Sequence, residues 1–243
     1  MRIIELLLGL QRVKEVWSNL PKVVDHTLLD PSAPLDVVVK ECERVKEYGF
    51  RAFCISPHHV PHVVKLLKGS GVRICTVVGF PHGYQITDVK IFEARKYMEL
   101  GADDIDMVIN VQALKSGEWK YIEEEVRAVA EVVHSYGGIL KVIIETGYLS
   151  DEEKERVAQV LSRAGADFVK TCTGFGPGRA TVHDVSLLAQ VAHSRGLKVK
   201  AAGGIRHLED ALTLVAAGAD VLGSSAGVRI VDEWKTAKQK VKL

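Results

Sequence analysis

Charge of one sign is what this chain lacks first. Its 243 residues carry 32 Lys and Arg against 31 Asp and Glu, a formal net charge of +1. No basic field is available to hold nucleic acid or an anionic membrane, so a small molecule is the expected ligand. Paired cysteines are lacking too. Cys42, Cys54, Cys75 and Cys172 are scattered and form no Cys-x-x-Cys. That argues against a disulfide or zinc framework and for reduced thiols in a cytoplasmic protein. No stretch approaches the roughly 20 apolar residues of a membrane span. The opening MRIIELLLGLQRVKEVW is not a convincing signal peptide, because Glu5 interrupts a short apolar run and no small-residue cleavage site follows. It reads as an amphipathic leader helix over residues 1–20. With no low-complexity stretch and no linker, one domain over residues 1–243 is expected, long enough to bury a core without staples.

What is present is an alternation. Strand-like runs at 23–29, 51–56, 73–80, 104–110, 139–146, 168–174, 197–204 and 221–227 are short, apolar and bounded by Gly, Pro or polar residues. Segments with helical spacing lie between them, such as Val126, Val129, Ala130 and Val133. Ser150 followed by Glu153 is a capping box at a helix start. Eight strand–helix units in so few residues predict a single (β/α)8 TIM barrel of the α/β class, over residues 23–231. The triplet Gly-Ala-Asp recurs at 101–103, 165–167 and 218–220, ahead of strands four, six and eight. It suits a helix that ends on Gly before the chain enters a strand.

Side chains alternate along a strand, so the pattern sorts them by face. Ile105, Met107 and Ile109 should meet the helices, which points Asp104, Asp106, Val108 and Asn110 inward. The same alternation groups Phe168, Lys170 and Cys172, then Lys198, Lys200 and Ala202, then Lys141, Ile143 and Glu145. Barrel interiors are normally Val, Ile and Leu, and buried charges are costly unless paired. Lys170 and Lys200, on neighbouring strands about 4.8 Å apart, are therefore candidates for chemistry. Two crowded ammonium groups push one pKa down, and a neutral amine is what Schiff-base formation requires. Asp106 beside them is a candidate acid or base.

Gly203, Gly204 and Arg206 follow strand seven, and Gly223, Ser224 and Ser225 lie at the end of strand eight. In this fold those two loops commonly hold phosphate, with backbone N–H groups, serine hydroxyls and an arginine as donors. In His58-His59-x-x-His62, His58 and His62 could share a helix face, but the local sequence shows no third ligand for zinc. His26 and His82 are open between site wall and structural histidine. Cys172 reads as a lining residue, and Glu123-Glu124-Glu125 as a solvated helix face.

The motifs FVKTCTGF, KAAGGIR, GSSAG, DDIDMVIN, KVIIETGYL, VVGFPHG and DHTLL together resemble the deoxyribose-phosphate aldolase family over about residues 23–231. The resemblance implies reversible cleavage of 2-deoxy-D-ribose 5-phosphate to D-glyceraldehyde 3-phosphate and acetaldehyde, with no metal and no organic cofactor. It implies Lys170 as the Schiff-base lysine, Lys200 as the second lysine and Asp106 as the acid of a proton relay. It sets Gly174, Gly203, Gly204, Arg206, Gly223, Ser224 and Ser225 in the segments that hold the phosphate. Three positions depart from the family pattern: Cys172 where serine is more usual, Phe175 where some members carry lysine, and Asp30 where lysine is commoner. Charge at the phosphate must then come from elsewhere than position 175. The partners expected are a sugar phosphate and further copies of the chain, not nucleic acid or membrane. Rival readings are another phosphate-binding barrel enzyme, such as an isomerase, or a non-catalytic sugar-phosphate-binding barrel.

Overall fold

An apolar strand followed by an amphipathic helix buries both only if the helix folds back across the strand, and repetition of that unit builds a parallel sheet. The structure, a computed structural model, describes residues 2–240. Its strands are β1 (Val24–Leu28), β2 (Ala52–Ile55), β3 (Arg73–Val78), β4 (Asp104–Val108), β5 (Ile139–Ile143), β6 (Phe168–Lys170), β7 (Lys198–Ala202) and β8 (Val221–Ser224). They pair in chain order, and β8 pairs with β1 to close the barrel. The helices are α1 (Arg2–Ser18), α2 (Leu35–Tyr48), α3 (Val60–Leu67), α4 (Thr87–Glu99), α5 (Val111–Lys115), α6 (Trp119–Ser135), α7 (Asp151–Ala164), α8 (Val182–His193), α9 (Leu208–Ala216) and α10 (Gly227–Lys240). The (β/α)8 TIM barrel read from the alternation is the fold. Every strand ends before the run that announced it does, strands five, six and eight by the most, because the chain bends into mouth loops once the ladder ends.

Ile105, Met107 and Ile109 are fully buried between barrel and helices, as the alternation requires. Burial of each such side chain contributes roughly 1.5–3 kcal/mol. Each Gly-Ala-Asp triplet does two jobs. Gly165 caps α7 at φ +87°, a left-handed conformation that suits glycine. Asp103, Asp167 and Asp220 then reach back to the backbone N–H of Ile74, Leu140 and Val199, at 2.7, 2.8 and 2.8 Å. Each aspartate ties an even strand to the start of the odd strand before it. The capping box of Ser150 and Glu153 is present at the start of α7.

Two expectations meet the structure differently. Residues 2–18 are helical, and α1 packs against α9. Arg12 there binds Asp220 at 2.7 Å, pinning the helix beside the turn into β8. The run Glu123–Glu125 is not one solvated face. Glu125 is 1% exposed and pairs with the buried Lys90 of α4 at 2.9 Å, because successive helix positions turn by about 100° and carry it toward that neighbour. Among the described residues no helix is long and apolar enough to cross a membrane.

Candidate active site

The interior of the barrel is charged. Arg51, Arg73, Lys141, Lys170 and Lys200 converge there on Asp25, Asp104 and Asp106. Fully ionised, five cations face three carboxylates, an arrangement far from the aliphatic filling of an ordinary barrel. Asp106 is the hub. Its Oδ2 accepts from Lys170 at 2.7 Å and Lys200 at 2.8 Å, and its Oδ1 from Lys141 at 3.1 Å. Burial alone would raise its pKa, but Lys141, Lys170 and Lys200 outweigh burial and hold the carboxyl well below the usual range.

Lys170 and Lys200 are direct register partners on β6 and β7, as their spacing suggested. Their surroundings differ. Lys200 is fully buried and donates to Asp25 Oδ2 at 2.6 Å as well as to Asp106. Burial opposes its charge, yet Asp106 and Asp25 prevail and hold its pKa well above the ordinary lysine value. Crowding therefore does not depress Lys200, because a second carboxylate that sequence reasoning had not assigned sits beside it. Lys141 is held high in the same way by Asp106, Cys75 and Asp104, against burial. Of these three lysines Lys170 is the one that lines an open cleft.

That cleft, of about 590 Å³, lies at the carboxyl ends of the strands. Gly174, Gly203, Gly204, Arg206, Gly223, Ser224 and Ser225 line it together with Lys170, while Asp106 and Lys200 lie beneath its floor. All seven residues that the sequence grouped for phosphate thus share one cavity with the candidate nucleophile. Their donors are not equally free. Ser224 Oγ donates to the carbonyl of Ile205 at 2.7 Å and accepts from the N–H of Ala226, so its hydroxyl braces the two loops against each other. The expectation that both serines offer hydroxyls to a ligand is corrected for Ser224. The backbone N–H of Arg206 is likewise taken, by Asp210 at 2.9 Å. The Arg206 side chain is exposed at the cleft, and Arg179 approaches Gly204 from its far side.

Several residues had no role in the sequence reading. Asp25, Arg51 and Arg73 complete the ionic layer, and their only signal was a charge at the start of an apolar strand. Glu145 is buried, with φ +53°, a left-handed conformation rare for a side chain with a Cβ. Its Oε2 accepts from the N–H and hydroxyl of Thr173 and so holds the loop that carries Gly174. Cys172 is buried and its thiol is pushed up to about 11 by burial, which suits a lining residue. His26 is structural: its Nε2 meets Glu41 at 3.0 Å and its ring stacks on Phe50. Phe175 lies across the rim, edge-on to Phe80. Asp30, at the rim of the cleft, spends its carboxylate on Ser32.

Known proteins resemble this chain in sequence and fold. The profile of the DeoC/LacD family aldolases matches residues 22–231. A deoxyribose-phosphate aldolase of Caldanaerobacter subterraneus is 49% identical over 223 residues, covering 91% of this chain and 96% of that protein. One from Thermococcus gammatolerans is 46% identical over 225 residues, 92% of this chain and all of the other. The tetrameric deoxyribose phosphate aldolase of Aeropyrum pernix superposes with a TM-score of 0.88 at 34% identity, covering 96% of this chain and 97% of that one. With a matching profile along most of its length and relatives this similar, the chain belongs to the DeoC/LacD family of aldolases.

Proposed function

We propose that this chain is a deoxyribose-phosphate aldolase that works through a Schiff base on Lys170. One observation carries the reading: Lys170 opens into a cleft lined by both Gly-rich loops while its Nζ rests 2.7 Å from Asp106. The Lys170 amine adds to the C1 aldehyde of 2-deoxy-D-ribose 5-phosphate, and loss of water leaves an iminium. That cation accepts the electron pair of the C2–C3 bond as the C3 hydroxyl gives up its proton, and D-glyceraldehyde 3-phosphate departs. The remaining enamine takes a proton at C2, and hydrolysis frees acetaldehyde and Lys170.

Both proton steps fall to the Asp106–Lys200 pair. A carboxylate held this low by its lysines is a weak base, so a water bound beside the pair is the carrier and Asp106 orients it. Arg206 and the backbone of the loops after β7 and β8 bind the phosphate, and α10 presents its N-terminal end just beyond the second loop. The charge absent at Phe175 is supplied by Arg206. The same reading makes the enzyme a catabolic one for deoxyribose phosphate, cytoplasmic, folded as one domain and assembled from several copies, as the Aeropyrum pernix relative is.

Acetaldehyde and borohydride test the covalent step. Reduction should leave an ethyl group on the peptide that contains Lys170, and Lys170→Ala should lose both labelling and turnover. A label on Lys200 would reverse the two lysines, and no label at all would remove the imine.

A further inference from the structure

Two thiols share the barrel interior with the ionic layer, and the aldolase reaction uses neither. Cys54 on β2 and Cys75 on β3 are register partners, and both are fully buried. They form one interior cluster with Ala52 and Val77, so both side chains point the same way. Adjacent strands run about 4.8 Å apart, inside the Cα separation of roughly 4.4–6.8 Å that a disulfide spans. Their sulfur atoms and the Asp106 carboxylate lie within 4.8 Å of one another. Cys75 donates to Asp106 Oδ1 at 3.2 Å.

Two thiols and a carboxylate also form a donor set for a thiophilic cation. The charge around them decides against it. Lys141, Lys170 and Lys200 all bind the same carboxylate, and Lys141 Nζ lies 3.7 Å from Cys75 Sγ. A dication entering there would meet three ammonium groups, whereas a thiolate is stabilised by them. The two sulfurs are unequal in that field. The Cys75 sulfur beside it lowers the Cys54 pKa below the ordinary thiol value, with help from Lys200 and Lys170 against burial and Asp106, while the Cys75 proton is held by the Asp106 carboxylate. Burial pushes Cys75 well above it.

We propose that Cys54 and Cys75 are a reactive dithiol, a modification site for small peroxides that closes to an intrachain disulfide and switches the aldolase off. The Cys54 thiolate attacks one oxygen of hydrogen peroxide and the O–O bond breaks. Hydroxide leaves and recovers the proton that Cys54 had released, forming water. The Cys75 sulfur then attacks the resulting sulfenic acid, the S–O bond breaks, and the hydroxyl departs with the Cys75 proton as a second water. The thiols lose two electrons and the peroxide gains them. Closure removes the hydrogen bond from Cys75 to Asp106 at the hub of the lysines. Neither thiol lines the cleft, but Asp106 links Cys75 to Lys170, which does, so entry through that mouth would let bound substrate protect the pair.

The test uses the full-length reduced protein, exposed to hydrogen peroxide, then denatured and alkylated for mass mapping. Two of the four free thiols should become unreactive, joined in a peptide pair containing Cys54 and Cys75. Activity should fall on the same time course by about a hundredfold, the lower end of what a general acid–base group contributes. Dithiothreitol should restore both, and 2-deoxyribose 5-phosphate should slow both. In Cys75→Ala, with rates scaled to its own starting value, Cys54 should pass on to sulfinic acid and dithiothreitol should no longer rescue it. Four thiols still alkylatable, or oxidation confined to Cys42 or Cys172, would overturn the proposal. So would peroxide without effect on a protein that zinc inhibits through Cys54 and Cys75, which would make the trio a cation site. The activity arm rests on the role given to Asp106, but the disulfide itself is read by mass. A disulfide that leaves turnover intact would defeat the switch without touching the aldolase reading.

Discussion

The lower barrel and its mouth handle polar groups in opposite ways. In the lower layer every charge is answered. Asp104 receives Lys141, Arg51 and Arg73, Asp25 receives Arg51 and Lys200, and the aromatic ring of Phe168 lies under Arg51. Groups buried this deeply must be paired, since an isolated ion there costs several kcal/mol. At the mouth the chain ends its strands early and bends through glycines, and Lys170 and Arg206 face a cavity instead of a partner on every side. Asp106 belongs to both regions. The difference teaches that the lower charges hold a geometry, while the upper ones are left for a substrate to complete.

Asp106→Asn should break the link between the regions and have the largest effect. It keeps the shape but removes the charge that orients the proton-carrying water, so kcat should fall by about 10²–10⁴. Lys170 should still trap acetaldehyde, more slowly. In D₂O, deuterium should enter the acetaldehyde methyl group far more slowly than in wild type. Wild-type exchange beside lost cleavage would confine Asp106 to the bond-breaking half.

Asp104→Leu sharpens the contrast from below. Removing one partner of a buried ion cluster costs about 3–5 kcal/mol. The urea midpoint should drop accordingly, while the protein that remains folded still traps acetaldehyde on Lys170. A variant of normal stability with lost trapping would erase the distinction between the layers.

Acid should find the lower layer next. Burial would raise the pKa of Asp104, but Lys141, Arg51 and Arg73 outweigh it and bring the group from 3.8 to about 2. A carboxyl depressed by folding adds stability that is complete above its unfolded pKa and is lost as pH falls through the folded one. Between about pH 4 and pH 2, Asp104 alone should therefore cost the fold about 2 kcal/mol. Asp25 and Asp106 are lowered too and act with the same sign. Urea midpoints across that window check it, and a flat profile would mean the network adds no pH-linked stability.

The smallest effect belongs to the mouth. Arg206→Ala removes an exposed cation and a charge-assisted hydrogen bond worth about 1.5–3 kcal/mol. KM for 2-deoxyribose 5-phosphate should rise about tenfold, the lower end of that range because Arg206 is exposed and screened, with kcat and the unphosphorylated sugar little changed. Equal losses on both sugars would take Arg206 off the phosphate.

Much of this was legible from residue order. Alternation placed Ile105, Met107 and Ile109 outward and Asp106, Lys170 and Lys200 inward, because a strand's period of two leaves no third choice. The Gly-Ala-Asp repeat marked the helix-to-strand turns, although its aspartates' reach to Ile74, Leu140 and Val199 joins residues about 21 to 29 positions apart and was hidden. Glu125 was misread because three adjacent glutamates look alike until the neighbouring helix is in place.

By itself, then, the sequence determined the number and order of strands, the face each side chain takes and the chemical type of the groups that enter the barrel. Those follow from local periodicity and need no knowledge of distant residues. Closure alone decided which charges answer one another. Asp25 meets Lys200 across 175 positions and joins Asp106 in keeping Lys200 charged. Closure also set Cys54 against Cys75, committed the Ser224 hydroxyl to Ile205, and left Lys170 open to the cleft. A pKa, a free donor or a reactive pair depends on which groups stand within a few ångströms, and that is a property of the folded barrel.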